Sequence, residues 1–485
     1  MTTRITGIKG VERKLDMKTR KGYKAYPLTA AQYLHYYCLA ACPMEQVLNI
    51  GSSLTIQIDL DWDVMRESIK EAIARCESMR IRLAFDKKEN KVYQYVVKES
   101  EQPIEFFDFT GWTQEAAVAK MTEWTHQPFT RYDAPLHRIV MIKMPNGYQG
   151  SYICVDHLTM DAQGLIMFFR DVIEIYSHKK YNALDYPKEM TSYLKQLQKD
   201  LEYEAGSRSS QRDREFFHKL ISSSEPVYTD VNGSARLEAE RAVTGNPNQR
   251  AATVITESME ANLCNFHLEA EPTARMMKFC EEHHISMTCL LMMGLRTYLQ
   301  KMNNQDDVSI TSTIARRATL TEKRCGGTRI HCFPFRTIVP REDTFMEGIC
   351  KIRDGQNMLF RHANFSSSEY FYYRSQCYQL QRGQTYEGMA LTYQPLAMKY
   401  NGPGLDKLEG IKYKSARYGN GVAGQPLYLT VSHDPSDDGL DFCFEYRPEV
   451  VTEEKLRDVY YFLCRIIFRG IEDCNRTVGE IIEWV

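Results

Sequence analysis

One stretch, Tyr152 to Gly164, constrains this chain more than any other: Tyr-Ile-Cys-Val-Asp-His-Leu-Thr-Met-Asp-Ala-Gln-Gly. Its first half alternates as a strand does, with Ile153, Val155 and His157 on one face and Cys154 and Asp156 on the other. A tight turn follows. Leu165, Phe168, Phe169, Val172 and Tyr176 then recur at helical spacing. A histidine at a strand end, just before a helix, is well placed to exchange protons with a bound substrate. The plainer reading of His157 is a satisfied structural residue, and that of Asp161 is a helix N-cap. Their company weighs against the plain reading. Asp156, Thr159 and Gln163 crowd the same strand end, and burying such a cluster costs several kcal/mol unless each group finds a partner. The cluster is therefore either a network or a site.

The whole chain sets the frame for that choice. Its 485 residues exceed one ordinary core and predict two domains. With 43% hydrophobic and 26% charged residues the class is globular. A formal charge of −2 gives no reason to expect nucleic acid or an anionic membrane as partner. No apolar run approaches the roughly 18 residues of a membrane span. The basic N-terminus has no apolar segment behind it, so no secretory signal is expected. The 14 cysteines include no Cys-x-x-Cys pair, which predicts buried thiols in a reducing cytoplasm rather than zinc or redox sites.

Four segments are expected along the chain: an irregular lead-in at 1–24, an α/β unit at 25–206, a linker region at 207–256 and a second α/β unit at 257–485. Thr29 reads as the N-cap of a first helix. Strands are expected at Ser53–Leu60, Ile81–Phe85, Lys91–Val97 and His137–Lys143, with an Asn146-Gly147 hairpin turn leading to Tyr152. The linker expectation rests on Ser-rich and charged runs with little periodic hydrophobicity. Beyond it, helical patterns at Thr273–His283, Met287–Lys301 and Glu453–Phe468 alternate with strands at Val308–Ile314, Cys332–Val339, Tyr386–Tyr393, Leu427–Ser432 and Leu440–Tyr446. Similar inventories in the two halves make a pair of related α/β domains the simplest architecture.

Other chemical motifs are weaker. His283-His284 has no acidic residue behind it and reads as an exposed turn between helices. His126 and His137 lack a third ligand, so no metal is expected. Gly326-Gly327-Thr328 precedes a strand and lacks the residues of a phosphate-binding loop. The four aspartates between Asp434 and Asp441 lack the spacing of a calcium loop.

At this point the chain resembles the condensation-domain superfamily of acyltransferases: the condensation domains of non-ribosomal peptide synthetases and their stand-alone relatives, with chloramphenicol acetyltransferase more distant. The family signature His-His-x-x-x-Asp-Gly reads here Asp156-His157-Leu158-Thr159-Met160-Asp161-Ala162. Leu28-Thr29-Ala30-Ala31-Gln32 is similar to the block Ser/Thr-x-Ala-Gln. Arg75 to Phe85 is similar to Arg-His-Glu-x-Leu-Arg followed closely by Phe, and Pro128-Phe129 and Pro135 to Arg138 to the usual lead-in. Ala315-Arg316-Arg317 and Gly327 to Arg336 lie near Gly-x-x-x-Asn-x-x-x-x-Arg, with the asparagine replaced at Phe333 or Pro334.

The resemblance implies two chloramphenicol acetyltransferase-like subdomains in a V, with the active site at their junction. It implies transfer of an acyl or peptidyl group from a thioester to an amine or hydroxyl acceptor, with His157 as general base. The donor would ride on phosphopantetheine of a carrier protein in trans or on CoA, with no other cofactor, and the protein would be a monomer. Asp161 becomes structural and is expected to pair with an arginine; Arg316, Arg317, Arg336 and Arg80 are candidates, and Arg316 is favoured. Asp156, Ala162 and Gly164 are expected beside the substrate. Ala162 replaces a glycine and tolerates positive φ poorly, so the turn is expected to differ. Backbone N–H groups at Ala162 to Gly164 could receive the oxyanion. Asp156 and Ala162 also keep open a rival: a degenerate, non-catalytic module that docks carrier proteins or partner enzymes.

Overall fold

The signature strand Gln149–Asp156 is central in a five-stranded sheet, antiparallel to Asn49–Ile56 on one side and to His137–Lys143 on the other. The computed structural model describes residues 18–100, 102–182, 185–395, 412–434 and 436–483. All eight residues of the strand are buried, because both faces of the sheet are covered. Ile153 and Val155 point into a core made with helices Trp62–Arg75 and Ala162–Tyr181. Tyr152 and Cys154 point the other way, toward Met121 of helix Gln114–His126 and Phe109. One edge strand, Glu105–Asp108, runs parallel to His137–Lys143. The other edge, Tyr413–Tyr418, comes from the C-terminal half and pairs antiparallel with Asn49–Ile56.

A smaller sheet in the N-terminal half joins Lys18–Arg20, Tyr23–Pro27, Lys91–Val96 and Ile81–Asp86. This corrects the irregular lead-in over 18–24: Lys21 and Gly22 take positive φ and close a hairpin. Positions 1–17 of that expectation lie outside the described residues. Thr29 caps the helix Ala30–Tyr36 in a capping box with Gln32, as the sequence predicts. The stretch read as a linker at 207–256 holds helices Arg208–Ser223 and Ala235–Thr244. The first hides its period because Ser210 and Asp213 fill buried slots beside Phe217 and Ile221. Asp213 is satisfied there by Tyr203 Oη at 2.7 Å and His362 Nδ1 at 2.8 Å.

The C-terminal half builds a six-stranded sheet in the order Asn262–Leu268, Leu440–Tyr446, Leu427–His433, Ala390–Gln394, Asp307–Ile314, His331–Ile338. Helices Met287–Asn303, Phe345–Arg361 and Glu453–Glu472 cover one face. The opposite face carries Thr313, Tyr428, Cys443 and Glu445 toward the N-terminal half. Arg417 of the shared edge strand donates to Gln394 across that gap. The molecule is thus a mixed α/β fold of two halves in a V, with the signature turn at their junction. Among the described residues no helix is long and apolar enough to cross a membrane.

Candidate active site

His157 ends its strand by donating its N–H to Leu48 O at 2.7 Å, and its half-buried ring looks toward the second half. Its Nδ1 lies 3.4 Å from Thr328 Oγ1, contributed by the C-terminal half. Burial lowers the imidazole below its ordinary value, while Asp161 draws it back up in part. The ring therefore stays neutral at pH 7, the form that accepts a proton.

Asp161 is scaffold. Its Oδ1 caps helix Ala162–Tyr181 through Gly164 N at 2.9 Å, and Arg329 N donates to its Oδ2 at 3.0 Å. Both oxygens accept from one arginine, and that arginine is Arg317, at 2.7 and 2.9 Å. The expected partner, Arg316, is not in this pair. Arg316 takes φ +51°, which turns its side chain elsewhere: Nε donates to Asn364 at 3.0 Å and Nη1 to His331 Nε2 at 2.7 Å. Arg317 also donates to the carbonyls of Glu322 at 2.7 Å and Gly327 at 2.9 Å, so it clamps that loop onto the N-terminal half. The loop fits closely. Gly327 has φ +90°, and a Cβ there would stand 2.5 Å from the Tyr193 ring.

Asp156 points away from His157. It is fully buried, ion-paired with Arg131, and accepts Leu158 N at 2.9 Å. Burial pushes its carboxyl up, against the pull of Arg131. Its place beside the substrate is thus not supported by its side chain. Ala162 is half-buried in the first helical position and has no positive φ, so the methyl group imposes no strain. Gly164 is buried, and a Cβ there would meet Met160 Sδ at 2.3 Å. Since the Gly164 N–H is held by Asp161, it is not an oxyanion donor. Counting from Gly327 to Arg336 puts the pattern's asparagine at His331, not at Phe333 or Pro334. His331 is buried between Arg316 and Ser367 Oγ, the latter 2.8 Å from its Nδ1.

Two participants were not foreseen. Gln32 donates from Nε2 to Leu158 O at 3.0 Å, tying the first helix to the signature turn. His35, on the same helix, stacks its ring on that of His157. Only the first had a sequence signal, as the glutamine of the Ser/Thr-x-Ala-Gln block. Away from the site, His283 and His284 form an exposed turn, as read from the sequence. Among the described residues one group could gather a metal ion, His267 with Asp434 and Asp441, in and beside the aspartate-rich loop.

A family model for the condensation domain matches residues 23–482. The chain belongs to the condensation-domain family. Surfactin synthase subunit 1 of Bacillus subtilis (strain 168) is 23% identical over 94% of this condensation domain. Bacitracin synthase 3 of Bacillus licheniformis is 19% identical over 94%. The condensation domain spans only 12% and 7% of these two proteins. Among solved structures, the first condensation domain of the calcium-dependent antibiotic synthetase superposes with TM-score 0.76 at 18% identity, over 94% of this chain and 98% of that one. A variant of the starter condensation domain of rhizomide synthetase in complex with C8-CoA gives 0.77 at 18% identity, over 94% and 96%. At these identities the structural likeness speaks for the fold.

Proposed function

We propose that this condensation domain is an acyltransferase that moves an acyl or peptidyl group from a thioester to an amine or hydroxyl, with His157 as general base. The observation that carries this reading is the half-buried imidazole of His157 at the junction of the halves, with Thr328 of the second half beside it. As the acceptor nitrogen or oxygen attacks the thioester carbonyl, its proton passes to His157. The tetrahedral intermediate then expels the thiol sulfur, which takes the proton back from the imidazolium. The donor thiol is that of phosphopantetheine on a carrier protein, or of CoA. Asp161 and Arg317 hold the turn and the facing loop, and take no part in proton transfer.

C8-CoA and Leu-SNAC, present together in one complex of a doubly substituted variant of the rhizomide synthetase starter domain, are the first probes. His157→Ala is expected to lower turnover about 10²–10⁴-fold while leaving the circular dichroism spectrum unchanged. A folded variant with full turnover ends the base role. The Asp156–Arg131 pair, standing where the family has its first histidine, favours the docking-module alternative. Carrier-protein binding without thioester consumption, across a broad acceptor panel, selects that alternative.

A further inference from the structure

The rings of His35 and His157 are stacked, with centroids 3.8 Å apart and planes 18° from parallel. His35 is 8% exposed, and its Nε2 has no hydrogen-bond partner among the described residues. Leaving a buried ring nitrogen unpaired is costly, and a plain aromatic or aliphatic side chain would avoid that cost. The helix that carries His35 is fixed against the turn: Gln32 reaches Leu158 O, and Gln32 and Gln94 exchange hydrogen bonds of 3.0 and 2.7 Å. A helix held by these hydrogen bonds thus sets the His35 ring against that of His157.

Two imidazolium rings in this contact repel each other, so the stack carries one proton at most near neutral pH. Burial holds His35 neutral, and His157 adds to that effect. His157 is lowered by burial too, but its backbone surroundings and the charge of Asp161 favour its charged form. His331 is also kept neutral, by burial and by Arg316, with His35 and Arg329 acting in the same direction. The proton taken from a substrate therefore rests on His157.

We propose that His35 is a positioning residue for His157, a stacked ring that fixes the plane of the base. This rests on the reading of His157 as general base. The test uses the full chain with labelled histidine ring carbons. Ring signals are followed by NMR between pH 5 and 9 in the wild type, His35→Ala and His35→Phe, alongside kinetics with C8-CoA and Leu-SNAC. In His35→Ala the His157 signals broaden or split, its titration midpoint moves, and kcat falls roughly 10-fold with KM for C8-CoA unchanged. His35→Phe keeps a stacked ring and restores most of kcat. An unaltered His157 titration with unaltered kcat in His35→Ala overturns the proposal, as does a His35→Phe variant as impaired as the alanine. Should His35→Ala fail to fold, His35→Phe and His35→Gln decide, the glutamine removing the ring at similar volume. Full turnover in His157→Ala would remove the base role but leave the NMR readout of the stack intact, so the two failures are distinct.

Discussion

Strands Gln149–Asp156 and Leu440–Tyr446 both lie inside their sheets, the first at the centre and the second beside an edge strand, but are built on opposite principles. In the first every residue is buried. In the second Leu440, Phe442, Phe444 and Tyr446 are buried, while Asp441, Cys443 and Glu445 are half-buried on the face toward the junction. The first strand fixes one histidine at its end with no freedom left in the backbone beneath it. The second presents a row of polar groups: Glu445 lies opposite Tyr428, whose Oη is 2.6 Å from Thr313 Oγ1. Burial pushes the Glu445 carboxyl up to about 7, against the pull of Arg447 and Arg417. A reaction centre needs a fixed base, whereas the facing wall can vary its polar groups without disturbing a core.

The comparison breaks first at the clamp between the halves. Arg317→Met removes the partner of a buried carboxylate and should cost about 3–5 kcal/mol in urea unfolding. A loss under 1 kcal/mol would mean that the junction does not depend on this pair. Next comes the contrast between the strands themselves. Ile153→Ala should cost about 2–5 kcal/mol, because both faces of its sheet are packed and the cavity cannot collapse. Cys443→Ala, on the half-buried face, should cost under about 1 kcal/mol. Equal losses would erase the distinction. The last effect has the opposite sign. Since the folded Glu445 sits near 7, above its ordinary 4.5, its protonated form is the one the fold prefers. Stability is therefore lost as pH rises through that range. Glu445→Gln should gain about 1 kcal/mol at pH 8, after allowance for solvent screening, and nothing at pH 4. Denaturant midpoints at the two pH values measure it.

The strand and helix around His157 were legible because hydrophobic period changes from two to helical spacing within a dozen residues. The Thr29 cap was legible because Gln32 follows at the capping-box distance. The choice between Arg316 and Arg317 was not. Neighbouring arginines look alike in sequence, and what separates them is a positive φ at Arg316 that the chain gives no glycine to announce. Helix Arg208–Ser223 was concealed by buried Asp213, whose partners are Tyr203 of helix Tyr193–Glu204 and His362 just past helix Phe345–Arg361. The His35–His157 stack joins two segments distant in sequence, and only tertiary structure brings such rings together.

The shared edge strand Tyr413–Tyr418 also bears on the order of events at the ribosome. At roughly 5–20 residues per second, it emerges some tens of seconds after the strands it completes. During that interval Asn49–Ile56 has a bare edge, with backbone groups open to another chain. The nascent protein is thus most exposed to misassembly before Tyr413–Tyr418 is made. A slow tract of codons upstream of Tyr413 should lower the soluble yield, and a fast one should raise it.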